Sequence, residues 1–293
     1  MTALRLQFVI RELCSAAVAR RKSLGAHVFA RTTGRLFTGT FKALFSNFED
    51  FLRIVWAWFA LIILGVLAFN VLGPQSLHTP GPELVPNLVH VLAIFVSVLV
   101  VTVANSSIAV AWHRCLLLGE RPGAVHLRVG RRELAYVRKT VLIFLISGVA
   151  VIPLSLVFIM VNRLMGPGFG ILVVVIGVLG LWLPILMRLM LALPATAVDE
   201  RLGLLDAFRQ SRGLGWPMVV ASVGVSLVIF LPMVLLIVIA AFAGGVFSAV
   251  AGVLLEIGAQ IASVALQIGV LTGGHYILRE RQMAQGAGPP AAG

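Results

Sequence analysis

Residues 140–162 read TVLIFLISGVAVIPLSLVFIMVN, an unbroken run without Asp, Glu, Lys or Arg. A helix rises about 1.5 Å per residue and the hydrocarbon core of a bilayer is about 30 Å thick, so about 20 such residues cross it. Five further charge-free stretches accompany this one, at 54–73, 88–111, 168–187, 217–241 and 257–278. An ionised side chain at the centre of a membrane helix costs at least about 2.5 kcal/mol on insertion scales. The confinement of all 23 basic and 11 acidic residues to the segments between these windows is therefore the imprint of a bilayer.

Composition agrees. The chain is 60% hydrophobic and only 12% charged, where a soluble domain carries about a quarter charged residues. That excludes a water-soluble fold, and no polar stretch is long enough to fold alone. Lipid admits only helices or closed barrels as spanning structures, and these runs are too long and too uniformly apolar for barrel strands. The expected fold is an all-α integral membrane protein of about six transmembrane helices, with amphipathic interfacial helices on the cytoplasmic side. One transmembrane domain over 32–282 would follow a basic extension at 1–31 and precede a disordered Ala/Gly/Pro-rich tail at 283–293.

Charge sets the orientation. Nine basic residues precede the first span, seven lie between the second and third, four between Arg188 and Arg212, and two are Arg279 and Arg281. Arg163 alone falls on the opposite side. The positive-inside rule makes the crowded side cytoplasmic, with both termini inside. The preference for Arg over Lys, with abundant Ala, Gly and Val, resembles chains of GC-rich bacterial genomes and points to the bacterial inner membrane. Cys14 and Cys115 then face a reducing compartment, so no disulfide is expected.

Boundary residues suit this layout. Trp56, Trp58, Trp112 and Trp216 fall near cytoplasmic span ends, where an indole prefers headgroup depth. Ser46 and Glu49 have capping-box spacing ahead of the first span. Phe37, Phe41, Leu44, Phe45, Phe48 and Leu52 recur at three- and four-residue intervals and predict a helix lying on the inner leaflet. In the second inner loop Leu204, Leu205, Phe208 and Ser211 share one helical face, Asp206, Arg209 and Arg212 the other, and Gly213 is placed to end the helix. Glu120-Arg121-Pro122-Gly123 and Glu200-Arg201-Leu202-Gly203 echo one another in the two inner loops, each ahead of an expected amphipathic helix.

The run Leu193-Pro194-Ala195-Thr196-Ala197-Val198-Asp199-Glu200, followed by Gly203, Ala207-Phe208 and Ser211-Arg212-Gly213, resembles bacterial membrane proteins related to the membrane domain attached to some glycerophosphoryl diester phosphodiesterases. The likeness covers the span pattern over 32–280 and is distinctive at 193–217. It implies a stand-alone inner-membrane protein. The soluble catalytic domain of those enzymes, with its acidic residues and histidines for a metal, has no counterpart here, so hydrolysis is not implied.

No catalytic, cofactor-binding or metal-ligating set is legible. The chain has no His-Glu-x-x-His, no Gly-x-Ser-x-Gly and no cysteines at metal spacing. Gly34 and Gly39 have phosphate-loop spacing, but Thr40-Phe41 stands where Lys and a hydroxyl are required. Candidate contacts to anionic lipid headgroups are Arg114, Arg121, Arg128, Arg131, Arg132, Arg138, Arg209 and Arg212. Beside membrane spans such residues meet lipid rather than nucleic acid. A candidate intramembrane polar site comprises Asn105, Glu256 and Gln260. Glu256 is expected at the outer boundary, with 242–255 interfacial or re-entrant, and His275 near the inner boundary as a hydrated or backbone-bonded residue. Ser106, Ser107, Ser263 and Gln267 are expected to make interhelical hydrogen bonds.

Three function classes follow: a non-enzymatic scaffold, assembly or lipid-interacting protein, which the location of charge favours; a small-solute or lipid transporter; and a lipid-modifying enzyme using His113, Arg114, Glu120, Arg132 and Glu133 at the inner face. The bilayer and its anionic headgroups are the expected partners, with a homo-oligomer as a further possibility.

Overall fold

The computed structural model describes residues 26–72, 88–243 and 245–286. Cys14, the basic residues at 20–22, residues 73–87 and the last seven residues lie outside them. Every regular element among the described residues is helical: α1 (26–46), α2 (Phe48–Leu72), α3 (Leu88–Leu118), α4 (Arg131–Met165), α5 (Pro167–Val175), α6 (Leu183–Met190), α7 (Ala192–Ala197), α8 (Leu204–Gln210), α9 (Gly215–Ala243) and α10 (Gly245–Gly286). Among the described residues five stretches are long and apolar enough to cross a membrane: Ile94–Leu118, Arg131–Met165, Gly168–Ala197, Gly215–Ile239 and Leu255–Ala284. The remaining charge-free window, 54–73, falls on α2.

α10 is the axis of the bundle. Within its most apolar window 61% of residues are buried, against 33% for α3 and 11–12% for the other three spans, whose outer surfaces are left to lipid. Packing concentrates at the inner ends, where Leu191, Ala192, Leu193, Ala195 and Ala197 are all buried. Residues 191–193, 195 and 197 thereby close the end of the bundle that carries the arginine-rich connections.

α1 runs across these inner ends. Leu36 and Thr40 are buried against Gly273 and Gly269 of α10, Phe37 rests on Gly224 of α9, and beyond the break at Asn47 Phe51 meets Trp112 of α3 edge-on with ring centroids 5.0 Å apart. Gly269 permits the approach, since a Cβ there would stand 2.7 Å from Thr40 Cγ2. The aromatic stripe is split: Leu44 is buried and Phe37 and Phe41 pack on the core, whereas Phe45, Phe48 and Leu52 are exposed. At the break the Asn47 carbonyl accepts the Phe51 N–H at 2.9 Å, and Glu49 pairs with Arg53 instead of closing a box with Ser46.

Proline explains a second irregularity. Pro184 has no N–H to return to the preceding turn, and the backbone ahead of it widens into a π-helical stretch, Ile176–Trp182, in which the Leu183 N–H donates to the Val178 carbonyl. The Gly168–Ala197 span packs beside α9. There Gly215 allows backbone contact, because a Cβ at that position would sit 2.6 Å from the Pro184 carbonyl oxygen.

Several expectations are corrected. Residues 245–286 form one continuous helix, so 245–255 is neither re-entrant nor a separate interfacial segment, and 283–286 extend α10 rather than starting the tail. No proline interrupts that stretch. Trp58 and Trp112 are core residues, not boundary anchors; Trp56 and Trp216 remain half-exposed. In the first inner loop 119–130 is irregular and 131–139 is the first part of α4 rather than a separate helix; Trp56 Nε1 and Ser107 Oγ tether the irregular stretch by donating to the Ala124 and Arg128 carbonyls at 2.9 and 2.7 Å. α8 ends at Gln210, and Gly213 serves the following turn at φ 79°.

Candidate functional site

The charged groups gather around one turn. After α7 the chain reverses through Val198-Asp199-Glu200, where the Glu200 N–H donates to the Ala195 carbonyl at 2.8 Å and Asp199 adopts φ 62°. Aspartate tolerates this left-handed conformation better than most residues. The turn aims two adjacent carboxylates at three different helices.

Asp199 receives Arg132 of α4, Nε to Oδ1 at 3.0 Å and Nη2 to Oδ2 at 2.9 Å, and Arg114 of α3, Nη1 to Oδ2 at 3.2 Å. Arg114 also donates to the Ala197 carbonyl at 3.0 Å and forks onto Glu120, Nε to Oε2 at 2.7 Å. Hydrogen bonds from Arg132 hold the Asp199 carboxyl below its usual range, and hydrogen bonds from Arg114 do the same for Glu120. Glu200 pairs with Arg279 of α10 and stands 3.1 Å from His275 Nε2. That last contact is at ion-pair distance without hydrogen-bond direction, and both ring nitrogens of His275 lack a hydrogen-bond partner.

Beneath this ionic layer lies a neutral one. His113 is fully buried, with Nδ1 2.8 Å from Thr272 Oγ1 and Nε2 3.5 Å from the Tyr136 hydroxyl. The Thr272 hydroxyl is within 2.8 Å of the Ile268 carbonyl and spends its one proton there, so it accepts from His113 Nδ1–H and fixes that tautomer. His126, in the tethered loop, is pushed below the usual histidine value, first by burial and then by Arg128, and its Nε2 has no partner.

These contacts sort the candidate residues. Arg114 and Arg132 are committed to carboxylates and do not belong with free headgroup contacts. Arg121, Arg128, Arg131, Arg138, Arg209 and Arg212 are exposed, and none makes an ion pair among the described residues. Asn105, Glu256 and Gln260 are likewise exposed, with no hydrogen bond between them, so the structure does not bring them together. The residues grouped for an enzyme at the inner face are also separated in role: His113 is enclosed, Glu133 accepts the Gly130 N–H at 2.8 Å, and Glu120 is held by Arg114. Among the described residues no group of three His, Cys, Asp or Glu is placed to hold a metal.

Of the span residues expected to bond between helices, Ser107 and Gln267 do so. Trp58 Nε1 donates to Ser107 Oγ at 3.2 Å, and Gln267 Nε2 to Ser226 Oγ at 3.0 Å. Sequence reasoning missed the hub at Asp199 and Glu200 and the enclosure of His275. The signal was available in part, since both acids lie in the one stretch singled out as distinctive. Arrangements of this kind fasten helix ends together. No protein-family model, curated protein or solved structure matches the chain.

Proposed function

We propose that this chain is a six-span protein of the bacterial inner membrane, with both termini cytoplasmic, that acts without catalysis as a scaffold or assembly element engaging anionic lipid at the inner leaflet. The observation that carries this reading is the division among the arginines. Arg114, Arg132 and Arg279 are spent on the hub, while Arg121, Arg128, Arg131, Arg138, Arg201, Arg209 and Arg212 stand exposed without a carboxylate partner among the described residues. Beside them Val125, Leu127 and Val129 of the tethered loop are also exposed, which gives an apolar surface edged with cations. Kinship with the phosphodiesterase-linked membrane domains belongs to the proposal and rests on the sequence of 193–217 alone. A transport role needs polar groups converging near the midplane, and Asn105, Glu256 and Gln260 supply no such convergence.

The test is the lipid shell of the purified protein. Replacing Arg121, Arg128, Arg131 and Arg138 together with Gln should lower the enrichment of phosphatidylglycerol over phosphatidylethanolamine severalfold, at about 1 kcal/mol per residue near the surface. An unchanged lipid shell would remove the reading.

A further inference from the structure

A groove of 720 Å³ opens at the inner end of the bundle between the start of α1, the end of α6 and the start of α9. One wall is apolar and belongs to a membrane span: Leu181, Pro184 and Ile185. The other end is cationic, with Arg188 and Arg281 in the lining and the half-exposed indole of Trp216 beside them. No carboxylate lines the groove among the described residues.

The guanidiniums here are held by neutral groups alone. Arg188 donates to Ser211 Oγ at 3.3 Å and to the Phe208 carbonyl, and lies 3.8 Å over the Phe208 ring. Arg281 Nη1 donates to the Arg212 carbonyl at 3.1 Å, which brings a third cationic residue to the cluster. Carbonyls and a ring orient these side chains but do not neutralise them. By contrast, Arg114, Arg132 and Arg279 at the hub all have acids. A cationic cluster on fixed positions, opening onto a lipid-facing apolar wall, is complementary to one kind of occupant: a phosphate group carrying hydrocarbon.

We propose that this groove is a discrete binding site for one anionic phospholipid, its phosphate at Arg188 and Arg281, its glycerol region against Trp216 and an acyl chain along Leu181 and Ile185. The site deepens the lipid-engaging reading and rests on it for orientation, but it uses residues outside the tethered loop, so the two fail separately.

The experiment uses the full chain in mild detergent, with Arg121 and Arg128 of the tethered loop and Arg131 and Arg138 of α4 either native or changed to Gln. Native mass spectrometry after delipidation and titration with phosphatidylglycerol should show one lipid retained in both backgrounds. Arg281→Gln should lower its apparent affinity about tenfold, the usual order for losing a charged hydrogen bond. Arg281→Lys, which keeps the charge, should restore part of it. Equal retention by Arg281→Gln and the parent overturns the site. Because a variant can fail to fold, a second measurement uses the parent alone, following its thermal midpoint. Phosphatidylglycerol should raise it in a saturable manner, with phosphatidylethanolamine or soluble glycerol 3-phosphate doing so much less. Equal stabilisation by all three, by glycerol 3-phosphate alone, or by none would also overturn it.

Discussion

Arg132 closes on Asp199 through two parallel contacts, Nε to Oδ1 at 3.0 Å and Nη2 to Oδ2 at 2.9 Å, and so ties the start of α4 to the turn that leaves α7. The same carboxylate takes Arg114 of α3, and its neighbour Glu200 takes Arg279 of α10. One dipeptide thus fixes the relative positions of three spans at their inner ends.

Both partners of this fork are about half exposed, so its charge is worth little alone. Asp199→Asn should cost about 1 kcal/mol or less, because Asn also tolerates the left-handed conformation. Asp199→Ala should cost about 1–2 kcal/mol more, since it adds backbone strain to the lost pairing. Thermal unfolding of the two variants in detergent separates the contributions, and equal losses would show that φ 62° carries no cost.

The pH dependence has a definite sign. Asp199 and Glu120 are held below their ordinary values by hydrogen bonds from Arg132 and Arg114 respectively. Their stabilisation is complete above the unfolded carboxylate range of about 4 and is lost as pH falls through the lower folded values. The difference in thermal midpoint between the parent and Asp199→Asn should therefore be constant near neutrality and shrink below about pH 4. A difference that grows on acidification would contradict the pairing.

Close backbone approach at Gly215 predicts a steric effect unrelated to charge. A Cβ there meets the Pro184 carbonyl oxygen at 2.6 Å, and backbone cannot rotate away as a side chain can. Gly215→Ala should destabilise by about 1–3 kcal/mol, whereas Gly34→Ala, with open space around it, should leave the thermal midpoint unchanged or slightly raised.

The buried histidine offers a third probe. Thr272→Val keeps the shape and removes the acceptor for His113 Nδ1–H, leaving a buried donor unpaired at about 1–3 kcal/mol. Thr272→Ser keeps the hydroxyl and should cost less than half as much. If Val and Ser behave alike, the contact at 2.8 Å contributes nothing.

What could be read from the chain divides along a physical line. Spans were legible because exclusion of charge from lipid acts residue by residue, and a window such as 140–162 declares itself without knowledge of its neighbours. Helical phase was less so: Trp58 and Trp112 lie at the right depth for anchors, yet their side of the helix faces Ser107 and Phe51. Asn105 and Gln260 share a polar character, yet both are exposed and no hydrogen bond joins them among the described residues. Pairing across distance was not legible at all. Nothing local to Arg114 distinguishes it from Arg121, and only the folded chain brings Asp199 to the first and leaves the second exposed.

The central claim, that the hub and the tethered loop cap the cytoplasmic ends of membrane-spanning helices, is tested most directly by sidedness. With Cys14 and Cys115 replaced, a single cysteine at Gly123 should react with a membrane-impermeant maleimide in inverted inner-membrane vesicles and remain unlabelled in right-side-out spheroplasts. Labelling from the periplasmic side, with protection in inverted vesicles, would contradict it.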